Sequence, residues 1–123
     1  MSIITEVTVT PFRFEVEGLT LGSHRAMGVS NLRHERGGRL PVMRYAVEIR
    51  TDDGLTGRYV THWVGTGSAL GQTVMIAPHL LGRDPEQREA IYDDLKRELR
   101  AYDHMGHGPL DIALWDLVGR KYG

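Results

Sequence analysis

The 123-residue chain has no cysteine. That excludes a disulfide framework and a thiolate zinc site, and it leaves the redox compartment open. The chain also lacks a net charge of consequence: 15 basic residues stand against 16 acidic ones, for a formal charge of -1. Nothing in that balance calls for nucleic acid or an anionic membrane as partner. No stretch approaches the roughly 18 apolar residues of a membrane-spanning helix. Met1–Glu6 lacks the basic region and apolar run of a signal peptide, so a cytoplasmic location is the expectation. What remains is a single globular domain, 41% hydrophobic and 25% charged, able to bury a modest core.

Charge is spread unevenly. Arg25, Arg33, Arg36, Arg39 and Arg44 face one acid, Glu35, within a single stretch. The acids of Asp84–Glu98 alternate with bases, as on a solvated helix face. Ile3 to Phe14 is rich in β-branched and aromatic residues and predicts a strand, with Ile3, Val7 and Val9 in one phase and Phe12 and Phe14 in the other. Pro11 cannot donate to a ladder, so a bulge or an edge is expected there. Glu15 to Pro41 has no sustained period and predicts a long loop or a loose hairpin. Loops of more than about 12–15 residues in compact domains are commonly functional. Arg44 to Thr51 alternates, with Tyr45, Val47 and Ile49 on one face; Asp52-Asp53-Gly54 is a turn; Leu55 to Trp63 returns as a third strand.

The second half predicts helices. Ser68–Ala77 uses Leu70, Val74 and Ala77, and Pro78 disturbs its end. Asp84-Pro85-Glu86-Gln87 carries a cap, a first-turn proline and a capping-box Gln for a helix to about Arg100, with Ile91, Leu95, Leu99 and Tyr102 buried. After a glycine-rich break at His104–Gly108, a last helix from about Pro109 buries Leu110, Ala113, Leu114, Leu117 and Val118. Gly119 is unfavourable in a helix and would permit close approach of another backbone. Strands first and helices after is an α+β order. The expected fold is a three-stranded antiparallel meander followed by a small bundle of three or four helices.

Four segments, in this order, carry a resemblance. They are the opening strand to Pro11-Phe12, Val47–Gly57, Leu80–Pro85, and the tail Asp111-Ile112-Ala113-Leu114-Trp115-Asp116-Leu117-Val118-Gly119. Together they resemble the N-terminal capping domain of the mandelate racemase and muconate-lactonizing branch of the enolase superfamily, across essentially the whole chain. One departure stands out: relatives often continue the turn as Gly-x-Gly-Glu, whereas Gly57 is followed here by Arg58, Tyr59 and Val60. The resemblance implies a capping domain over residues 1–123, with the catalytic (β/α)8 barrel absent from this chain. In such enzymes Mg²⁺ held by three barrel carboxylates stabilises an enolate, and a barrel Lys or His removes the proton α to a substrate carboxylate. The implied chemistry is that of a sugar-acid dehydratase or a racemase. No catalytic residue and no metal ligand is then expected in this chain; Mg²⁺ belongs to the barrel. The implied partners are that barrel, a carboxylate or sugar-acid substrate, and further copies in a homo-oligomer.

A cap of this kind lends two loops to the barrel mouth, which exclude water and shape substrate preference. By order these are Gly18–Arg39 and about Thr61–Ser68. His24 and Arg25 lie near the middle of the first; Arg suits a carboxylate because its planar fork bonds both oxygens. His62 and Trp63 open the second, where the ring would wall a pocket and the imidazole would meet a hydroxyl. The bland alternatives are arginines on a solvated loop and a core Trp beside an exposed His. His104 and His107 resemble a metal pair, but Gly106 and Gly108 argue against a regular helix and no third ligand stands at helical spacing, so capping or packing is expected. Asp52 and Asp53 read as turn residues, and Gly65–Ser68 as a flexible loop rather than an anion site. The competing function, from another class, is a free-standing binding or assembly module that pairs through its apolar face.

Overall fold

A computed structural model describes residues 2–26, 29–61 and 66–123, with side chains over 2–20, 32–61 and 67–123. The element order is β1 (Ile4–Ala26), β2 (Val29–Thr51), β3 (Thr56–Val60), α1 (Thr66–Ile76), a 3-10 turn (Ala77–Leu80), α2 (Arg88–Glu98) and α3 (His107–Tyr122). The sheet order is β1-β2-β3, and β2 pairs antiparallel with β3 from Ala46 opposite Val60 to Arg50 opposite Thr56. The expected α+β architecture, a three-stranded sheet followed by three helices, is the one observed. The chain divides into two compact units, one of residues 1–11 with 44–123 and one of residues 12–43.

In the larger unit, Tyr45, Val47 and Ile49 alternate inward on β2 and are fully buried. Facing them are Ile76 and Leu80, Ile91, Leu95 and Leu99, and the α3 stripe Leu110, Ala113, Leu114 and Leu117. Each such Val, Leu or Ile side chain contributes about 1.5–3 kcal/mol on leaving water. The turn between β2 and β3 closes through Thr51 N–H to Leu55 O (3.0 Å) and Gly54 N–H to Thr51 O (3.2 Å), with Gly54 at φ +86°. Asp52 and Asp53 serve that turn: Asp52 Oδ1 accepts from Ile3 N–H (2.9 Å), and the Asp53 carboxylate accepts from the Ser2 and Thr51 hydroxyls. The Ser2 bond, then the Thr51 bond, holds the Asp53 carboxyl below its ordinary range.

Three details differ from the sequence reading. Ile4, outside the phase shared by Ile3, Val7 and Val9, is the fully buried residue at the start of β1, and its peptide is bonded to the segment after the 3-10 turn: Ile4 N–H donates to Arg83 O and Gly82 N–H to Ile4 O, each 2.9 Å. Asp84 caps a turn instead of a helix, with its Oδ1 accepting from Glu86 N–H, and α2 starts only at Arg88. Tyr102 lies past the end of α2 and is 58% exposed.

In the smaller unit, the segment expected as a long loop or a loose hairpin is built of strand, with β1 and β2 neighbours in the sheet, which is nearer the hairpin than the loop. Residues 12–26 and 29–43 continue β1 and β2, so each strand is 23 residues long. Pro11 sits in β1, at the edge of the sheet, the setting in which strands tolerate proline. Gly18 and Gly37 hold φ near +78° and +79°, the left-handed geometry strands adopt at bulges. Gly38 passes so close to Leu19 that a Cβ there would lie 2.8 Å from its carbonyl oxygen.

Candidate functional site

Thr61 and α1, the described residues on either side of the second expected cap segment (about Thr61–Ser68), are each anchored. At its start, Thr61 is buried and locked to Tyr45: Thr61 N–H donates to Tyr45 O (3.0 Å), and Tyr45 N–H donates to Thr61 Oγ1 (3.1 Å). At its far end, α1 is pinned by a buried polar cluster. Thr73 Oγ1 donates to Gly106 O (2.8 Å), which uses its only proton, so the Tyr45 hydroxyl, 2.8 Å away, is the donor to Thr73. Gly106 N–H donates to Gln72 Oε1 (2.8 Å), and Gln72 Nε2 donates to Asp103 Oδ1 (2.7 Å), which also accepts Met105 N–H. Gly106 admits no side chain, since a Cβ would overlap Gln72 Cβ and lie 2.6 Å from Thr73 N. Burial, the larger influence, pushes the Tyr45 phenol up, against the bond to Thr73. The Gln72 bond holds the Asp103 carboxyl low.

Beside these anchors a cavity of about 160 Å³ is lined by Tyr45, Tyr59, Thr61, Met105, Pro109 and Ile112, among others. Its lining is mainly apolar. Hydrophobic patterning does not single out this cluster. Its available signal in the sequence is the pair Gln72-Thr73 inside an otherwise apolar helix face.

The four candidate site residues fare unequally. His24 and Arg25 fall in β1, with side chains outside the described residues. His62 and Trp63 lie outside the described residues altogether. The remaining arginines of the first segment are exposed, and two are taken up locally: Arg39 with Glu15 (3.3 Å) and Arg33 with Glu35 (3.6 Å). That fits a solvated face more than a prepared anion site. Gly65–Ser68 falls partly outside the described residues, and α1 begins within it at Thr66.

His107 takes the packing role. It is 4% exposed and packs against Tyr92, with ring centroids 4.4 Å apart and the rings tilted by 43°. Among the described residues, no group of three or more His, Cys, Asp or Glu stands close enough to hold a metal ion. No described helix is long and apolar enough to cross a membrane.

The segments that carry the family resemblance touch one another. Gly57 of β3 lies against α3, where a Cβ would overlap Ala113 O and approach within 2.6 Å of Leu117 Cβ. Arg58 N–H, next in sequence, donates to Asp116 Oδ2 (2.8 Å), and Arg120 Nε donates to the same oxygen (3.0 Å). The Arg58 amide bond is the main reason the Asp116 carboxyl sits low. Arg58 also joins Arg50 on Glu48, with Arg58 Nε 3.0 Å from Glu48 Oε2; the two guanidinium groups, Arg50 first, lower the Glu48 carboxyl. Lys121 Nζ meets Glu86 Oε2 at 2.6 Å, and the Tyr122 hydroxyl donates to Glu86 Oε1.

Comparison with known proteins agrees with this geometry. The family described as mandelate racemase / muconate lactonizing enzyme, N-terminal domain, matches residues 42–123. The chain is 36% identical over 87 residues to cis-3-hydroxy-L-proline dehydratase of Roseibium aggregatum, covering 63% of this chain and 23% of that protein. It is 35% identical over 89 residues to D-galactarolactone cycloisomerase of Agrobacterium fabrum, covering 63% and 21%. Its fold is similar to that of L-talarate dehydratase from Polaromonas sp. JS666, solved with Mg and L-glucarate, at a TM-score of 0.75 and 21% identity over 100% of this chain and 33% of that one. The chain thus spans less than a quarter of the length of those two curated relatives. The structural match also takes in residues 1–41, which the family match leaves out.

Proposed function

Because the chain belongs to the mandelate racemase / muconate lactonizing enzyme N-terminal-domain family, we propose that it is the substrate-specificity cap of an enzyme that removes the proton α to a carboxylate. The substrate class is a sugar acid or a related hydroxy acid, and the outcome is dehydration or racemisation. Residues 1–123 act as the cap, and a (β/α)8 barrel domain supplies the catalytic groups and Mg²⁺. The observation that carries this reading is the fold match over the full chain to one third of a dehydratase solved with Mg and L-glucarate. The identities to a dehydratase and a cycloisomerase support it.

The cap's work is positional. It closes water out of the barrel mouth and sets which acid fits. His24 and Arg25 in the first segment, and His62 and Trp63 in the second, are proposed as the substrate-facing groups. Arg25 would bond a substrate carboxylate through two N–H groups. A cytoplasmic homo-oligomer is the proposed setting.

The test begins with the coding sequence past Gly123. A continuation into alternating strands and helices with spaced acids supports the reading; a stop codon supports the free-standing assembly module instead. The longer protein, assayed with Mg²⁺ against a panel of sugar acids, should lose about 10- to 100-fold in kcat/KM on Arg25→Ala. Turnover of a sugar acid by residues 1–123 alone would overturn the assignment.

A further inference from the structure

We propose that His107 is a proton-sensitive latch: taking up a proton drives its imidazole from its seat and frees the Asp103–Gly106 turn from α1. The seat is built for a neutral ring. His107 is buried, its Nε2 is shut away without a hydrogen-bond partner, and its ring packs at a tilt of 43° against Tyr92 of α2. It is also the first residue of α3, where unpaired N–H groups give the helix its positive end and disfavour a cation. The protonated ring must carry an N–H at Nε2, where no acceptor stands, a costly arrangement that exposure to water relieves.

The charged and titratable groups around the ring do little to offset this. Lys96 and Tyr92 face it from α2, and His104 from the preceding turn. Asp111, one turn along α3, is the single group among those acting on it that favours the charged form. The α1 sequence, Thr66–Ile76, has no ionisable side chain. Burial first, then His104 and Lys96, hold the His107 imidazole below its ordinary range, against Asp111.

Expulsion of the ring acts on what adjoins it. Gly106 immediately precedes His107, and both its peptide groups are bonded to α1, through Gln72 and Thr73. The same Thr73 hydroxyl receives the Tyr45 bond. Losing the seat therefore loosens a four-residue cluster that ties α1 to α3 and to β2. Its bearing on substrate choice rests on the capping reading, because α1 adjoins the second cap segment; the opening itself does not.

The sign follows from the depressed value. The unfolded chain binds the proton more readily, so the seat's contribution is complete above about pH 6.5 and falls away as pH drops below it. The experiment is a proton NMR titration of the 123-residue chain from about pH 7.5 to 5, reading the His107 ring and the protection factor of the Gly106 amide together. Expected are a ring midpoint below about 6.5 and a Gly106 protection factor that falls up to about tenfold for each pH unit below that value. In His107→Gln that fall should vanish, while His79→Gln keeps it. A ring midpoint at or above about 6.5, or a fall that survives in His107→Gln, overturns the proposal. Should His107→Gln fail to fold, the wild-type chain decides: protection lost in step with ring protonation supports the latch, and protection that stays flat refutes it.

Discussion

Thr73 is the residue on which the buried polar cluster depends. Its hydroxyl accepts one bond, from Tyr45, and donates one, to Gly106 O. Removing the phenol in Tyr45→Phe deletes a donor and leaves Thr73 still bonded to Gly106. The expected cost is about 1 kcal/mol, the usual net value of a neutral hydrogen bond. Thr73→Val keeps the shape but strands both the buried Tyr45 hydroxyl and the Gly106 carbonyl. Its expected cost is larger, up to about 3 kcal/mol, because each orphaned group keeps its desolvation penalty. Urea unfolding of the two single variants and the double variant gives the comparison. A Thr73→Val loss no greater than that of Tyr45→Phe would mean that the hydroxyls do not act as a chain.

Between elements, the β3–α3 contact decides how the sheet meets the bundle, and glycine decides that contact. At Gly57 the α3 backbone leaves no room for a methyl group. Gly57→Ala is expected to push α3 off β3, at a cost of about 3 kcal/mol or more, the upper end for overpacking a core. Gly119 gives the opposite result: it lies inside α3, and a Cβ there would meet nothing within 4 Å. Gly119→Ala should therefore stabilise the chain by about 0.5–1 kcal/mol through helix propensity. Paired denaturation midpoints test both, and equal effects at the two sites would refute the distinction. The close approach anticipated at Gly119 thus occurs at Gly57, on the partner element. What is legible in the sequence follows the same logic. Arg44–Thr51 and Leu110–Val118 are readable because one face is apolar and fully buried. The α1 face runs against its hydrophobic pattern: Val74 is 55% exposed, while polar Gln72 and Thr73 face inward, satisfied by Asp103, Gly106 and Tyr45 from far along the chain. A periodicity of hydrophobic residues cannot register partners of that kind. The strands of residues 12–43 are hidden for another reason. Phe12, Phe14 and Leu32 are exposed, and Gly18, Gly37 and Gly38 interrupt the alternation that a half-buried strand would show. Of the candidate site, the flanking anchors at Thr61 and α1 are defined, while His24, Arg25, His62 and Trp63 have only order within a family pattern to identify them.

For the molecule as a whole, the residual apolar surface predicts behaviour in solution. Val74, Met75 and Leu81 are 55%, 44% and 50% exposed. Val74 and Leu81 line a groove of about 450 Å³ together with Val7, Val9 and Ala77. Single exposed apolar residues are ordinary, but a contiguous set along a groove promotes association. Each such side chain, if fully covered, contributes up to about 1.5–3 kcal/mol, so a few of them bring weak self-association within reach of laboratory concentrations, after the cost of lost translational freedom. The near-zero net charge offers little repulsion against it. The 123-residue chain should therefore sediment as a concentration-dependent mixture, heavier than a monomer at high concentration. Val74→Lys with Leu81→Lys places two charges on that groove without touching the fully buried core, and should return the chain to the monomer. A second pair, Ile112→Lys with Trp115→Lys, separates this groove from the exposed side of α3, where those residues are 42% and 59% exposed. If the α3 pair abolishes association and the groove pair does not, the surface is misassigned; a strictly monomeric wild-type profile would show that neither face associates.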